Sequence, residues 1–466
     1  MIAVPGFKDR QVAVLGLARS GRAAAAALKA GGAEVLAWDD SDTTRAAVAG
    51  EINLRDPAQV DWHRVAALML SPGIPHSFPA PHPAVVAARQ AGTEILGDIE
   101  LLGRAQPLAR TIGITVTNGK STTTALIGHI LAEAGKQVEI GGNLGPPALG
   151  LAALGPDGTY VLELSSFQLE LVTTLAFDIA VLLNITPDHL DRHGDMDGYI
   201  AAKKRIFVGQ NGGSAAIVGI DDDICRGLAD TLCRDGKARV VPISVREKIA
   251  GGVYIEDGWL VDALDGAPRR VFNLAQAPRL PGGHNAQNAA AAYAVARQAG
   301  LPPAAATAGI RTFPGLAHRQ ELVDTIDGVR YINDSKATNA DATEKALACY
   351  PAIYWIAGGL PKAGGITSLA PYFKRLRHAF LIGNATEEFA ATLDGQAPFT
   401  RCGDLATALT AASDRARGER VPEAVVLLSP ACASYDQFPN FEARGDTFRT
   451  LVGELPGAHP SGEQER

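Results

Sequence analysis

The stretch GITVTNGKSTTTALIGHILAEAGK, Gly113 to Lys136, runs from an apolar strand end through a tight turn into a helical pattern with Leu126, Ile127, Ile130 and Leu131 on one face. The turn carries Asn118-Gly119-Lys120-Ser121. A glycine and a lysine where a strand hands over to a helix bring free backbone N–H groups and an ammonium together, which predicts a phosphate loop. The strict pattern G-x-x-x-x-G-K-[ST] needs glycine where Ile114 stands, so the reading rests on Gly119-Lys120-Ser121 and the flanking elements. Such a unit belongs to α/β architectures, because its strand must be covered by helices on both faces.

The rest of the chain fits that class. From Gln11 to about Gly97 the strand patterns QVAVLGL, EVLAWDD, AALMLSPGI and TEILG alternate with helical patterns, the last helix running through Arg89. A second unit, from Ile99, holds the loop, the strands YVLEL, IAVLLNI, AAIVGI and RVVPIS, a hairpin between Gly252 and Val271, and a helix from His284 through Arg297. A third starts near Gly315 with GVRYIND, AIYWIAGG, HAFLIGN and AVVLLSPA, each ending in small or polar residues, as strands do where their carboxyl ends form a ligand crevice. The expected domains are therefore 1–98, 99–314 and 315–466, with only the last ten residues reading as a polar tail.

Composition narrows the function classes. The chain has 466 residues, 47% of them hydrophobic and 20% charged, enough for about two to four domains. A net charge of −7 without a basic block excludes nucleic acid as the expected partner and leaves an anionic ligand to be held locally. The five cysteines form no C-x-x-C pair, which argues against a disulfide framework or a structural zinc site. The N-terminal segment lacks the apolar core of a signal peptide, and no apolar run reaches the roughly 18 residues of a membrane span. A cytoplasmic protein without membrane insertion is expected.

Several polar residues stand where solvation alone does not explain them. Glu163 ends an apolar strand just before Ser165-Ser166-Phe167-Gln168, and a buried carboxylate there needs a cation or a metal. Ser121 can offer its hydroxyl to Mg²⁺. In NITPDHLDRH, Thr186 is expected to cap a helix opening at Pro187, and His189 and His193 lie four apart, yet the H-E-x-x-H glutamate of a zinc hydrolase is missing. In the first unit, the turn Gly16 to Gly21 lacks the G-x-G-x-x-G spacing, so its glycines serve either a nucleotide or tight strand-to-helix packing; Asp39 and Asp40 end the second strand, where a ribose-binding acid sits. Ala317-His318-Arg319 and Asn333 to Asn339 gather cations and an acid in the third unit, either for a ligand or as surface ion pairs. Cys432 has no histidine beside it in sequence and reads as packing rather than as a nucleophile.

Taken in order, TNGKST, LELSSFQLE, NITPDHLDRH, HNAQNA, HR, NDSKATNAD and LSPACASYDQFPNFEARG resemble the ATP-dependent Mur ligases of peptidoglycan synthesis over nearly the whole chain, the last segment resembling the branch that adds D-glutamate. The resemblance implies a Rossmann-like N-terminal domain for a UDP-sugar, a central P-loop ATPase-like domain and a Rossmann-like C-terminal domain for the amino acid. It further implies ATP and Mg²⁺, an acyl-phosphate intermediate, the substrates UDP-N-acetylmuramoyl-L-alanine and D-glutamate, domain closure, and a monomer.

Residue by residue, it assigns Thr117, Asn118, Gly119, Lys120, Ser121, Thr122, Asn285, Asn288, Arg319, Asp334 and Lys336 to ATP. Glu163, His189 and a carbamylated Lys203 join Ser121 around Mg²⁺ and, with Lys120, form the catalytic set. Arg19, Ser20, Asp39, Ser71, Gly73 and Asn143 fall to the UDP-sugar, and Thr338, Lys362, Ser434 and Phe441 to D-glutamate. Three departures stand out: Asp40-Ser41 replaces a Thr-Arg pair, the segment before Lys362 lacks Asp-Gly, and Val116 replaces a glycine of the phosphate loop. A glycine there implies positive φ or a close approach to the phosphates, so Val116 is expected to strain or crowd the loop and weaken ATP binding.

Overall fold

The structure, a computed structural model, describes residues 1–362 and 364–459; most of the polar tail lies outside the described residues. The chain divides into two compact units, residues 1–277 with 285–313, and residues 278–284 with 314 onward.

The first unit carries two sheets. Strands β1 (Gln11–Leu15), β2 (Glu34–Trp38), β3 (Val65–Leu70) and β4 (Glu94–Leu96) form a parallel sheet in the order β2-β1-β3-β4. The chain leaves β1 toward β2 on one side and returns to β3 on the other, so the carboxyl ends of β1 and β3 flank a switch point. Ser71 Oγ donates to Gly16 O there at 2.7 Å. Gly21 answers its open question on the packing side: a Cβ would lie 1.7 Å from Gly16 O.

The second sheet has nine strands: β5 (Arg110–Thr115), β6 (Val138–Gly142), β7 (Thr159–Glu163), β8 (Ile179–Leu182), β9 (Ala215–Gly219), β10 (Arg239–Ser244), β11 (Val253–Glu256), β12 (Trp259–Asp262) and β13 (Arg269–Asn273). Their order is β13-β12-β11-β10-β9-β8-β5-β7-β6, parallel from β6 to β11 and closed at one edge by the expected hairpin. Register sets the site. Glu163 lies opposite Ile114 on one side and Gly142 on the other, so the ends of β5, β6 and β7 meet beside the phosphate loop. The strands are apolar on both faces, as a covered parallel sheet requires: Ile112, Ile114, Val161 and Leu162 are all fully buried.

The second unit is a six-stranded sheet of β14 (Glu321–Ile326), β15 (Val329–Asn333), β16 (Ala352–Gly358), β17 (Leu376–Ile382), β18 (Phe399–Gly403) and β19 (Ala424–Leu428), ordered β14-β15-β19-β16-β17-β18. Only β14 runs antiparallel. Among the described residues no helix is long and apolar enough to cross a membrane.

Candidate functional site

The phosphate loop is held by backbone and amide contacts. Asn184, just beyond β8, accepts from Asn118 N at 2.9 Å and returns its Nδ2 to Asn118 O at 2.9 Å. Thr117 N donates to Asn184 O at 3.0 Å. Gly119 sits at φ 104° as the residue before the helix Lys120–Glu133, and that helix start has no side-chain cap. A Cβ at Gly119 would fall 2.5 Å from Asn288 Oδ1, so both its conformation and its surroundings demand glycine. Ser121 and Thr122 lie buried in the first turn, and Thr123 Oγ1 donates to Asn288 Oδ1 at 3.0 Å while Asn288 Nδ2 donates to Asn285 Oδ1 at 3.1 Å. The helix Gly283–Gln298 thus braces the loop through the two asparagines singled out in sequence. Lys120 Nζ folds back onto Val116 O at 2.6 Å and Thr117 O at 3.1 Å, a geometry that holds an ammonium at the loop mouth.

Two expectations about this region are corrected. Val116 is not among the residues with positive φ, and its side chain is fully buried rather than lining the neighbouring cavity, so the loop is neither strained nor crowded by it. The segment after β8 does not open a helix at Pro187. Thr186 is tied to the phosphate loop instead, its N donating to Thr117 Oγ1 at 3.1 Å, and the helix Leu190–His193 starts only after His189, which adopts φ 52°.

Beside the loop lies a cavity of about 530 Å³. Gly16, Arg19, Ser20, Asp39, Ser71 and Gly73 line it from the first sheet, and Lys120, Asn143, His189 and Lys203 from the second. All six positions assigned to the UDP-sugar therefore share one cavity with three of the four catalytic candidates. Asp39 is pinned by Leu17 N at 2.6 Å and Ser41 N at 2.9 Å, whereas Asp40 pairs with His82 at 3.1 Å. Arg19 reaches Gly145 O.

Glu163 is buried at 3% exposure; Oε1 accepts from Asn143 Nδ2 at 2.6 Å and Oε2 has no hydrogen-bond partner. An orphaned carboxylate oxygen at the carboxyl edge of a sheet is a ready cation ligand. Lys203 is 1% exposed, donates to Thr115 Oγ1 at 3.2 Å and lies 4.8 Å from the centre of the Tyr199 ring. Burial, with the Lys120 charge added, pushes its amine well below the ordinary lysine range. The two histidines part company: His189 lines the cavity, while His193 turns inward to Ser166 Oγ at 2.8 Å. Among the described residues no group of three or more His, Cys, Asp or Glu side chains could hold a metal by itself, so no zinc-hydrolase set is built here.

The second unit gathers its own candidates at the carboxyl ends of β15, β16 and β19. Asp334 is buried, accepting from Ser429 Oγ at 2.7 Å and Gln320 N at 3.1 Å, and burial pushes its carboxyl up to about 7. Arg319 Nε is buried without an acceptor. The Lys336 ammonium lies 5.5 Å from the Phe441 ring centre, and Thr338 follows on the same turn, its N donating to Lys336 O at 2.9 Å. Ser434 is buried and Lys362 exposed. Cys432 is buried, its thiol pushed up to about 12 by burial, which fits packing and not nucleophilic attack.

Sequence reasoning passed over Tyr199, Asn184 and Arg444. Tyr199 stands four residues before Lys203, a helical spacing that could have flagged it. Its hydroxyl meets Thr117 Oγ1 at 3.1 Å, linking the lysine's surroundings to the loop. Arg444 is buried and clamps Ser335 O at 2.9 Å and Cys432 O at 3.1 Å, fixing the two turns that carry Lys336 and Ser434.

Comparison with known proteins agrees with this geometry. A family model described as the Mur ligase middle domain matches residues 114–296. The UDP-N-acetylmuramoylalanine–D-glutamate ligase of Paramagnetospirillum magneticum is 55% identical over 97% of this chain and 98% of its own length. That of Rhodospirillum rubrum is 53% identical, over 98% of this chain and 97% of its own. Among solved structures, the UDP-N-acetylmuramate-alanine ligase of Thermotoga maritima superposes with a TM-score of 0.55 at 16% identity, covering 94% of this chain and 98% of that one. A pseudomurein peptide ligase type C of Methanothermus fervidus gives 0.54 at 16% identity, covering 95% and 99%. These two speak for the fold, the α/β architecture with its three sheets. Identity above one half along nearly the full length decides the rest: the chain belongs to the Mur ligases, in the family of the UDP-N-acetylmuramoylalanine–D-glutamate ligases.

Proposed function

We propose that this chain is an ATP-dependent amide ligase that joins D-glutamate to UDP-N-acetylmuramoyl-L-alanine in the cytoplasm. A carboxylate is a poor acylating group; transfer of the γ-phosphoryl group gives it a leaving group, and the amine of D-glutamate then attacks the acyl phosphate and expels phosphate. The observation that carries this reading is the single cavity shared by the UDP-sugar candidates and by Lys120, His189 and Lys203, because a carboxylate held by the nucleotide-sugar end must reach the phosphate loop.

The uncapped helix start and Lys120 suit the phosphates of ATP, with Thr117, Asn118, Gly119, Ser121 and Thr122 as the cradle and Asn285 and Asn288 as its brace. Glu163, His189 and Ser121 supply an oxygen, nitrogen and hydroxyl donor set that fits Mg²⁺, and the orphaned Glu163 Oε2 is the observation in its favour. Bound there, Mg²⁺ would neutralise charge on the transferring phosphoryl group. A low-pKa amine is the form that adds to CO₂, so the burial of Lys203 supports its carbamate, an anion in place of a cation. In the second unit the family resemblance supports ATP contacts for Arg319, Asp334 and Lys336, and D-glutamate contacts for Thr338, Lys362, Ser434 and Phe441. We assign the domains as 1–98, 99–314 and 315–466, one sheet to each, and the working state as a monomer.

The experiment is phosphate release with ATP and Mg²⁺ across a panel of UDP-muramoyl acceptors and amino acids. Release should require UDP-N-acetylmuramoyl-L-alanine and D-glutamate together. Equal turnover with L-glutamate or L-lysine would overturn the acceptor assignment.

A further inference from the structure

Gln287 stands next in sequence to Asn288, which braces the phosphate loop, but its side chain makes a different set of contacts. Buried at 9% exposure, it donates through Nε2 to Asp221 Oδ2 at 3.0 Å and accepts through Oε1 from Asn184 Nδ2 at 3.3 Å. Asp221 lies just past the end of β9 and is itself held from the end of β10, by Val245 N at 3.0 Å and Ser244 Oγ at 2.7 Å. The contacts therefore run along the carboxyl edge of the nine-stranded sheet, from β10 over β9 and β8 to the loop that leaves β5.

The direction of each amide follows from backbone groups whose roles are fixed. Asn118 N can only donate, so the Asn184 atom facing it at 2.9 Å is Oδ1 and the other is Nδ2. That nitrogen has two hydrogens. One goes to Asn118 O at 2.9 Å and the second to Gln287, whose facing atom is thereby Oε1, leaving Nε2 for the Asp221 carboxylate. No hydroxyl and no histidine lies between Asn118 and Asp221. A trans peptide turns its C=O and its N–H to opposite sides, so Asn118 O held on Asn184 turns the Gly119 N–H away from Asn184. A flip of that peptide plane would also move Gly119 off its φ of 104°.

We infer that Gln287 and Asp221 are positioning residues for ATP: acting through Asn184, they hold the Asn118–Gly119 peptide in one orientation and so aim the Gly119 N–H for a phosphate oxygen. This rests on the ATP reading of the loop given above. Asn288 and Gln287, neighbours on one helix, then secure the loop from two sides, the first at its helical turn and the second at its strand side. The loop arrives at the nucleotide already shaped, so binding energy is not spent on ordering it.

Calorimetric titration of ATP into the full chain tests the inference. Gln287→Met, which keeps the length and removes both hydrogen bonds, should weaken ATP about tenfold and leave the affinity for UDP-N-acetylmuramoyl-L-alanine unchanged. Gln287→Glu sets a second carboxylate against Asp221 and should weaken ATP at least as much. Adding Asp221→Asn to it supplies an amide that can donate to the new carboxylate, and this pair should return ATP affinity to within about threefold of the wild type. In the proteins without ATP, the nitrogen-15 and proton shifts of the Gly119 amide should move in Gln287→Met and return in the rescued pair. Wild-type ATP affinity in Gln287→Met, an equal loss for the UDP-substrate, or no rescue in the pair would each overturn the inference. Should Gln287→Met fail to fold, Gln287→Glu with and without Asp221→Asn decides. A wild type that bound no ATP would strike the proposed function instead, and the Gly119 amide shifts would still judge the relay.

Discussion

Lys203 Nζ donates to Thr115 Oγ1 at 3.2 Å from a position almost wholly out of water, next to the strand end that feeds the phosphate loop. A full ammonium there is disfavoured by burial and opposed by the Lys120 charge, so the amine is driven toward its neutral form. Neutral amine and CO₂ give a carbamate. Wild-type protein in carbon-13 bicarbonate should therefore show one slowly exchanging carbamate resonance, absent from Lys203→Ala. That variant should be nearly inactive and partly rescued by short carboxylic acids, which can return anionic oxygens to the site. No resonance and no rescue would remove the carbamate from the mechanism.

Lys120→Ala should raise the Kd for ATP steeply and abolish turnover while leaving the melting temperature within a few degrees. The ammonium donates to Val116 O and Thr117 O, carbonyls of the loop itself, so the loss is expected at the loop rather than across the fold. Against phosphate oxygens, a unit charge at about 4 Å is worth up to about 4 kcal/mol at an effective dielectric of about 20. Titration of ATP into both proteins, with parallel thermal melts, separates binding from folding; unchanged ATP affinity would count against the phosphate-loop reading.

Much of this site was legible because its chemistry is local in sequence. The phosphate loop is one strand, one turn and one helix start, and Glu163 announced itself as a charge at the end of an apolar strand. What sequence did not reveal depends on contacts between segments far apart. Asn184 latches the loop across 66 residues, and Glu170 meets His76 across 94. Thr186-Pro187 carries a helix-start signal, but the hydrogen bonds with Thr117 use that turn to hold the loop, and tertiary contact overrode local preference. The edge strands β14 and β18 were missed for another reason. Edge strands face solvent, so Glu321–Ile326 and Phe399–Gly403 lack the continuous apolar run that marked β16 and β19.

Asp334 gives the second unit a pH-dependent contribution with a definite sign. Burial raises its carboxyl from the ordinary range to about 7, against the opposing hydrogen bond from Ser429 and the Arg319 charge. Between the unfolded value of 3.8 and about 7 the folded state holds the proton more tightly, so this contribution to stability is fully present below 3.8 and is lost as pH rises through about 7. Asp334→Asn keeps the acceptor for Gln320 N without the buried charge. Its melting temperature should exceed that of the wild type at pH values above 7 and lose that advantage in acid. A difference independent of pH would show that the carboxyl titrates in its ordinary range. ATP-dependent turnover should fall in the same variant, since the proposed nucleotide contact loses its charge.

Val116→Gly offers a test in which the sequence expectation and the structure point opposite ways. The expectation was relief: a glycine restored to the loop should strengthen ATP binding. In the structure Val116 has no positive φ, its side chain is fully buried, and its carbonyl is the acceptor for Lys120 Nζ. Glycine would then relieve nothing. Removing a buried isopropyl group deletes its transfer free energy and leaves a cavity, about 2 to 4 kcal/mol together for a side chain of this size. Glycine adds a further loss of roughly 0.5 to 1 kcal/mol through the greater freedom of the unfolded chain. A looser backbone at residue 116 also holds the carbonyl that orients Lys120 less firmly. Val116→Gly should therefore melt several degrees below the wild type and bind ATP no more tightly, with a modest weakening expected. A variant that bound ATP about tenfold better at an unchanged melting temperature would restore the crowding argument, because only a side chain obstructing the phosphates could yield that pair of results.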